Sequence, residues 1–128
     1  MSDLSPYDEV EQGNVSAQPF SSEAEEAVLG AVLINPEVYY DVAQFLRADD
    51  FYIVRNRWIW EAFTRLHDRR SPVDILTVSK EMEQQNRLAE AGGQAYLMAL
   101  INQTPTSLHA EAYGRIIEES AVRRRMLV

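Results

Sequence analysis

The chain has 128 residues, 46 % of them hydrophobic and 25 % charged, with a formal net charge of −8 and no cysteine. That length suits one domain with a core of its own, and the lack of thiols excludes disulfides and thiolate metal sites, in keeping with a reducing compartment. No apolar run approaches the roughly 18 residues of a membrane span, and Met1-Ser2-Asp3 lacks the basic start of a secretory signal.

Residues 1–19 have few large aliphatics, scattered Asp and Glu, and Pro6, Gly13 and Pro19. They read as a flexible acidic tail, with a docking peptide as the other reading. The domain organisation expected is a tail over 1–21, a helical head over 22–106, and the start of a helical hairpin over 107–128.

The first helix begins at Ser22, where Ser22 and Glu25 have capping-box spacing and Glu23, Glu25 and Glu26 suit the positive helix start. Ala24, Ala27, Val28, Ala31 and Val32 share one face, and Leu29 and Leu33 extend it nearly all round, which marks a central helix. Gly30 inside it predicts a close crossing by another helix. Asn35 as cap and Pro36 at the first helical position start a second helix, with Val38, Val42, Phe45 and Leu46 as its buried stripe. Asp49 to Val54 is a short connector whose Phe51, Tyr52 and Ile53 are apolar enough to pack.

A helix of about four turns follows near Asn56 to Arg69, with Ile59, Ala62, Phe63 and Leu66 at core spacing. Trp58 and Trp60 flank that stripe on different sides, so at least one is expected near the surface. Pro72 breaks the chain. Asp74 then caps the next helix, Val73 and Val78 have staple spacing, and Ile75, Val78 and Met82 form a stripe that Leu76 widens. Gly92-Gly93 permits a positive-φ turn before Tyr96, Leu97, Leu100 and Ile101, and Thr104-Pro105 stops that helix. From about Ser107 the last helix runs on. Tyr113, Ile116, Ile117 and Ala121 make one stripe, while Val122, Met126, Leu127 and Val128 put apolar residues on further faces. One packed neighbour could not cover them all. The expectation is a longer helix cut short, its partner missing or supplied by another chain. The fold class is all-α: a compact bundle of about five helices followed by a long helix.

Chemistry is hard to find in these residues. Lys80 is the only lysine and has no phosphate-gripping glycine loop, so no nucleotide site and no cofactor is expected. His67 and His109 lack ligand-spaced carboxylates, so no metal is expected. Ser107, His109 and Asp74 assemble into a triad only on paper, without a nucleophile elbow. No catalytic residue is assigned. Nine of the 20 acidic side chains and none of the 12 basic ones fall in residues 1–46, which leaves the rest near neutral. That balance argues against tight sequence-independent DNA binding. The run Arg123–Arg125 is the best candidate for phosphate contact, although Arg at a helix C-terminal end also complements the dipole.

The landmarks together resemble the N-terminal domain of bacterial replicative DNA helicases of the DnaB type. The matching pieces are SEAEEAVLGAVLINPE (Ser22–Glu37), DDFY (Asp49–Tyr52), RWIWEAFTRLHDRRSPVDILTVSKEME (Arg57–Glu83), GGQAYLMALINQTPT (Gly92–Thr106) and YGRIIEESAVRRRM (Tyr113–Met126). They run in order over nearly all of 22–128. Phe20, His109 and Gly114 depart from the residues the family usually has there: a polar residue or His, an Asn cap, and an Ala. The resemblance implies a cytoplasmic, non-catalytic collar domain that pairs subunits through a helical hairpin and helps assemble a hexameric ring. It further implies docking of DnaG-type primase, with a helicase loader as a further candidate partner, and the family's ATPase domain, its ATP and its Mg lying beyond position 128. On that reading Tyr113, Ile116, Ile117, Val122, Met126 and Leu127 form the hairpin interface. Glu23, Tyr96, Arg123, Arg124 and Leu127 are the candidates for primase contact. The alternative is a single-stranded DNA-binding helical module that uses Arg55, Arg57, Arg69, Arg70 and the terminal arginines.

Overall fold

The computed structural model describes residues 20–127, so the expected acidic tail lies almost wholly outside the described residues. Among these the chain forms six α-helices and no strand: α1 Ser22–Ile34, α2 Val38–Ala43, α3 Val54–Asp68, α4 Ile75–Gln84, α5 Gly93–Asn102 and α6 Ala110–Met126. A 3-10 turn, Ala48–Asp50, links α2 to α3.

Helix α1 is the centre, packed against α3, α5 and α6, with Val28, Leu29, Ala31 and Val32 fully enclosed. Gly30 is the crossing point. A Cβ placed there would sit 2.1 Å from Thr104 Oγ1 and 2.5 Å from the Leu100 carbonyl, so only a residue without a side chain lets α5 come this close. The helix start differs from the expected capping box. Ser21 is the cap, its Oγ accepting from the Ala24 N–H at 3.1 Å, and Glu25 turns inward instead. With the cap one residue earlier, the fourth helical position faces the core rather than the helix end.

Helix α2 also starts later than expected. The Asn35 side chain accepts from the Glu37 N–H two residues on, so it closes a turn rather than a helix, and regular winding begins at Val38. Helix α3 buries Ile59, Ala62, Phe63 and Leu66 as its spacing predicts. Trp60 is buried against Tyr39, Phe51 and Phe63, whereas Trp58 stays partly exposed under the Arg87 guanidinium, 5.1 Å from its ring.

At the α3–α4 corner Asp74 caps as expected: its carboxylate accepts from the Thr77 N–H and Thr77 Oγ1 accepts from the Asp74 N–H, both at 2.9 Å. Val73, Val78 and Met82 are buried. Leu76 is not part of that stripe. It lies about 100° round the helix from Ile75 and is 64 % exposed. The opposite flank is filled by Glu81, 3 % exposed and gripped by Arg65 Nε and Arg69 Nη2 at 2.8 Å each. Burial opposes the charged carboxylate, but the two arginines, Arg69 foremost, hold its pKa below the ordinary glutamate value.

Gly92 (φ +106°) and Gly93 (φ +68°) form the turn into α5, whose Leu97 and Leu100 enter the core. Helix α6 starts at Ala110 rather than Ser107. His109 stands at the cap position but makes no side-chain cap hydrogen bond, so the residues before it form a turn. The core face of α6 is Ala110, Gly114, Ile117 and Ala121. Small residues win that face because α1 and α2 lie close: a Cβ on Gly114 would stand 3.1 Å from Phe45 and 3.2 Å from Val42. Gly114 therefore makes room for α2, an effect that propensity alone does not show.

Candidate assembly surface on the last helix

With its small residues turned inward, α6 presents its large ones to solvent. Tyr113, Ile116, Val122, Met126 and Leu127 are all exposed, Met126 by 76 % and Leu127 by 64 %. Positions 113, 116, 120, 123 and 127 recur at steps of three and four, so Tyr113, Ile116, Arg123 and Leu127 lie along one line of the helix. Val122 and Met126 form a second line on the other flank of the core face. Ile117, grouped with these on sequence grounds, belongs elsewhere: it is 1 % exposed and part of the chain's own core. The predicted stripe is one residue too wide, because consecutive isoleucines point about 100° apart and only one can face the bundle.

Beside this line runs a groove of about 340 Å³ between the start of α1, the turn after α5 and the first half of α6. Glu23, Ala27, Thr104, Pro105, Tyr113 and Ile116 are among its lining. Three residues singled out in the sequence for two separate roles (Glu23, Tyr113, Ile116) therefore share one surface. Leu108, 84 % exposed, and His109, packed edge-on against the Tyr113 ring, lie at the same end of α6.

Tyr96 stands apart from this surface. It is half-buried, its hydroxyl donates to Asn56 Oδ1 at 2.6 Å, and the Arg55 guanidinium stacks 3.9 Å over its ring. Burial raises its pKa. Its polar end is thus committed to the interior. Asn56 in turn donates to Glu25, whose carboxylate, 1 % exposed, also takes the Tyr52 N–H at 2.6 Å and the Ile53 N–H at 3.3 Å. Glu25 thus pins the connector between α2 and α3 to α1. The sequence hid this role, because Glu25 also satisfies the spacing of a capping box.

The terminal arginines do not form one free basic patch. Arg123 is exposed, but Arg125 Nη2 lies 2.6 Å from Asp50 Oδ1, and Arg124 donates to the Asp50 carbonyl at 2.7 Å while covering the Tyr52 ring. Asp50 is buried, and the only sequence signal for it was its place in the DDFY segment. Elsewhere Arg57 donates to the Phe51 carbonyl and Arg69 to Glu81. His67 stacks 4.0 Å from Tyr39 with its Nε2 buried, and burial pushes its pKa down. Among the described residues no three His, Asp or Glu side chains converge as a metal would require, and no helix is long and apolar enough to cross a membrane.

A family model described as the DnaB-like helicase N terminal domain matches residues 17–119. The chain belongs to that family. Its curated relatives include the replicative DNA helicase DnaB of Geobacillus stearothermophilus, 41 % identical over 109 residues, and the replicative DNA helicase DnaC of Bacillus subtilis, 38 % identical over 109. Each alignment covers 85 % of this chain but 24 % of the relative, so the chain spans about a quarter of the length of these proteins. The solved N-terminal domain of DnaB helicase from Mycobacterium tuberculosis superposes with a TM-score of 0.84 at 34 % identity, over 87 % of this chain and 79 % of that one. The N-terminal domain of DnaB helicase from Helicobacter pylori, whose structure was described together with its interactions with primase, gives a TM-score of 0.70 at 23 % identity, over 81 % and 80 % of the two chains. The all-α reading and the resemblance to DnaB N-terminal domains both agree with these findings.

Proposed function

We propose that this DnaB-type N-terminal domain is a non-catalytic collar that pairs subunits through α6, supports ring assembly and docks primase. The observation that carries the proposal is the set of large apolar side chains on α6 that the chain's own core leaves uncovered: Tyr113, Ile116, Val122, Met126 and Leu127. A second copy or another helical protein would bury them without any change of fold. The docking part is supported by the groove at the edge of this face, which has Glu23 on one wall and shares Tyr113 and Ile116 with the pairing set on the other.

The test is a calorimetric titration with the C-terminal domain of a DnaG-type primase, repeated by co-elution. Saturable binding is expected, weakened about tenfold or more by Glu23→Lys or Leu127→Asp. No heat and no co-elution at any ratio would remove the docking part of the proposal. The single-strand DNA module fares worse, because Arg57, Arg69, Arg124 and Arg125 already have partners within the fold. Affinity for single strands is expected in the non-specific range of roughly 10⁻⁴–10⁻⁶ M and should vanish with modest salt. Nanomolar binding at physiological salt would reverse the ranking.

A further inference from the structure

Apolar packing of α6 against the head ends at Ala121. Beyond it Val122, Arg123, Arg125, Met126 and Leu127 are exposed and Arg124 is partly buried, so the last turn has no greasy anchor of its own. Asp50 in the 3-10 turn meets both of its inward arginines. The Asp50 side chain is 7 % exposed; Oδ1 accepts from Arg125 Nη2 at 2.6 Å and Oδ2 from the Arg47 N–H at 2.8 Å. The Asp50 carbonyl takes Arg124 Nη2 at 2.7 Å. One residue on, Phe51 is fully buried; one further, Tyr52 stacks on Phe20 at 4.3 Å and lies beneath Arg124. Glu25 fixes the same turn from the side of α1 through the Tyr52 and Ile53 N–H groups. The turn is therefore a rigid post, and two arginines tie the end of α6 to it.

A purely dipolar role for these arginines would need no acidic partner. Nor would it place a buried carboxylate within ion-pair distance of one of them and its own carbonyl within hydrogen-bond distance of the other. Removing Arg125 strips the cation from a carboxylate that water cannot readily reach, and this makes the contact costly to open.

We propose that Asp50 is a lock that holds the last turn of α6 against the head, so that the placing of Met126 and Leu127 depends on an ion pair rather than on apolar packing. The idea deepens the assembly reading of α6 and rests on it for its biological use. Its geometry can be tested separately.

The experiment is backbone hydrogen exchange on the full 128-residue chain, at a concentration where light scattering reports monomer. Arg125→Gln and Asp50→Asn should each speed exchange at residues 122–126 by about tenfold or more, while α1 and α5 keep wild-type protection. Arg125→Lys should restore most of the protection. High salt should loosen the same amides in the wild type and add little in Arg125→Gln, because the Arg125 side is open to screening. Should Asp50→Asn fail to fold, Arg125→Gln on the surface decides alone. Wild-type exchange at 122–126 in Arg125→Gln overturns the lock, whatever self-association does. Faster exchange with an unchanged tendency to dimerise upholds the lock and counts instead against Met126 and Leu127 as assembly contacts.

Discussion

At the scale of single residues, the fold turns on side chains whose spacing admits two readings. Glu25 is the clearest. Three N–H donors converge on a carboxylate that is 1 % exposed, so Glu25→Gln should destabilise the domain by about 2–3 kcal/mol in urea melts, as the loss of charge-assisted bonds in a buried site implies. A loss below a few tenths would mean that the carboxylate is not the pin. Gly30 sets two effects against each other. Helix propensity favours Gly30→Ala by up to about 1 kcal/mol, whereas forcing a methyl group against Thr104 and the Leu100 carbonyl costs about 1–3 kcal/mol. Packing wins, and the variant should melt lower than wild type; a higher melting temperature would show that α5 can draw back. Gly30 was legible in the sequence, because a glycine inside an otherwise apolar helix gives up propensity, and a close helix crossing is what offsets that loss. Glu25 was not, because either Ser21 or Ser22 could cap and the choice decides where the fourth position points.

At the scale of elements, helix existence was legible and helix phase less so. The cores of α1, α3 and α5 follow their apolar spacing, and Asp74 caps α4 as its sequence requires. Beyond the cap of α1, the misreadings fall at Leu76, Ile117 and the starts of α2 and α6. At Leu76 and Ile117 an apolar residue sits one position from the buried one, and the helix's packing face chooses between them; at the two starts a local turn takes up the residues expected to begin the helix. Small residues at 110, 114 and 121 make the best fit to α1 and α2, and no count of greasy side chains reveals this. The α3–α4 corner also fixes a pH dependence. The Glu81 pKa is depressed in the fold, so its stabilisation is present above the ordinary glutamate value and is lost as pH falls through the folded value. His67 acts in the same direction for a different reason. Burial favours its neutral form, so stability falls as pH drops from the ordinary histidine value towards the lowered folded one. The melting temperature should therefore decline from near neutrality into acid in two stages. His67→Phe should flatten the upper stage and Glu81→Gln the lower. An acid profile unchanged in both variants would refute these assignments.

At the scale of the whole molecule, the faces of α6 do not match one another. One is lined by small residues and Ile117 and is spent on the chain's own core; the others carry Tyr113, Ile116, Val122, Met126 and Leu127, which the described residues leave exposed. Two adjacent isoleucines put the mismatch to the test. Ile117→Asp should unfold the domain, since it places a charge in the core, whereas Ile116→Asp should leave the fold intact and act only on association. The most direct measurement is light scattering of the wild type and Ile116→Asp over the same concentration series, with helicity checked by circular dichroism. The wild type should pass from monomer to dimer as concentration rises, and Ile116→Asp should stay a monomer of equal helicity. A wild type that remains monomeric throughout, or an Ile116→Asp variant that dimerises just as readily, would contradict pairing through α6.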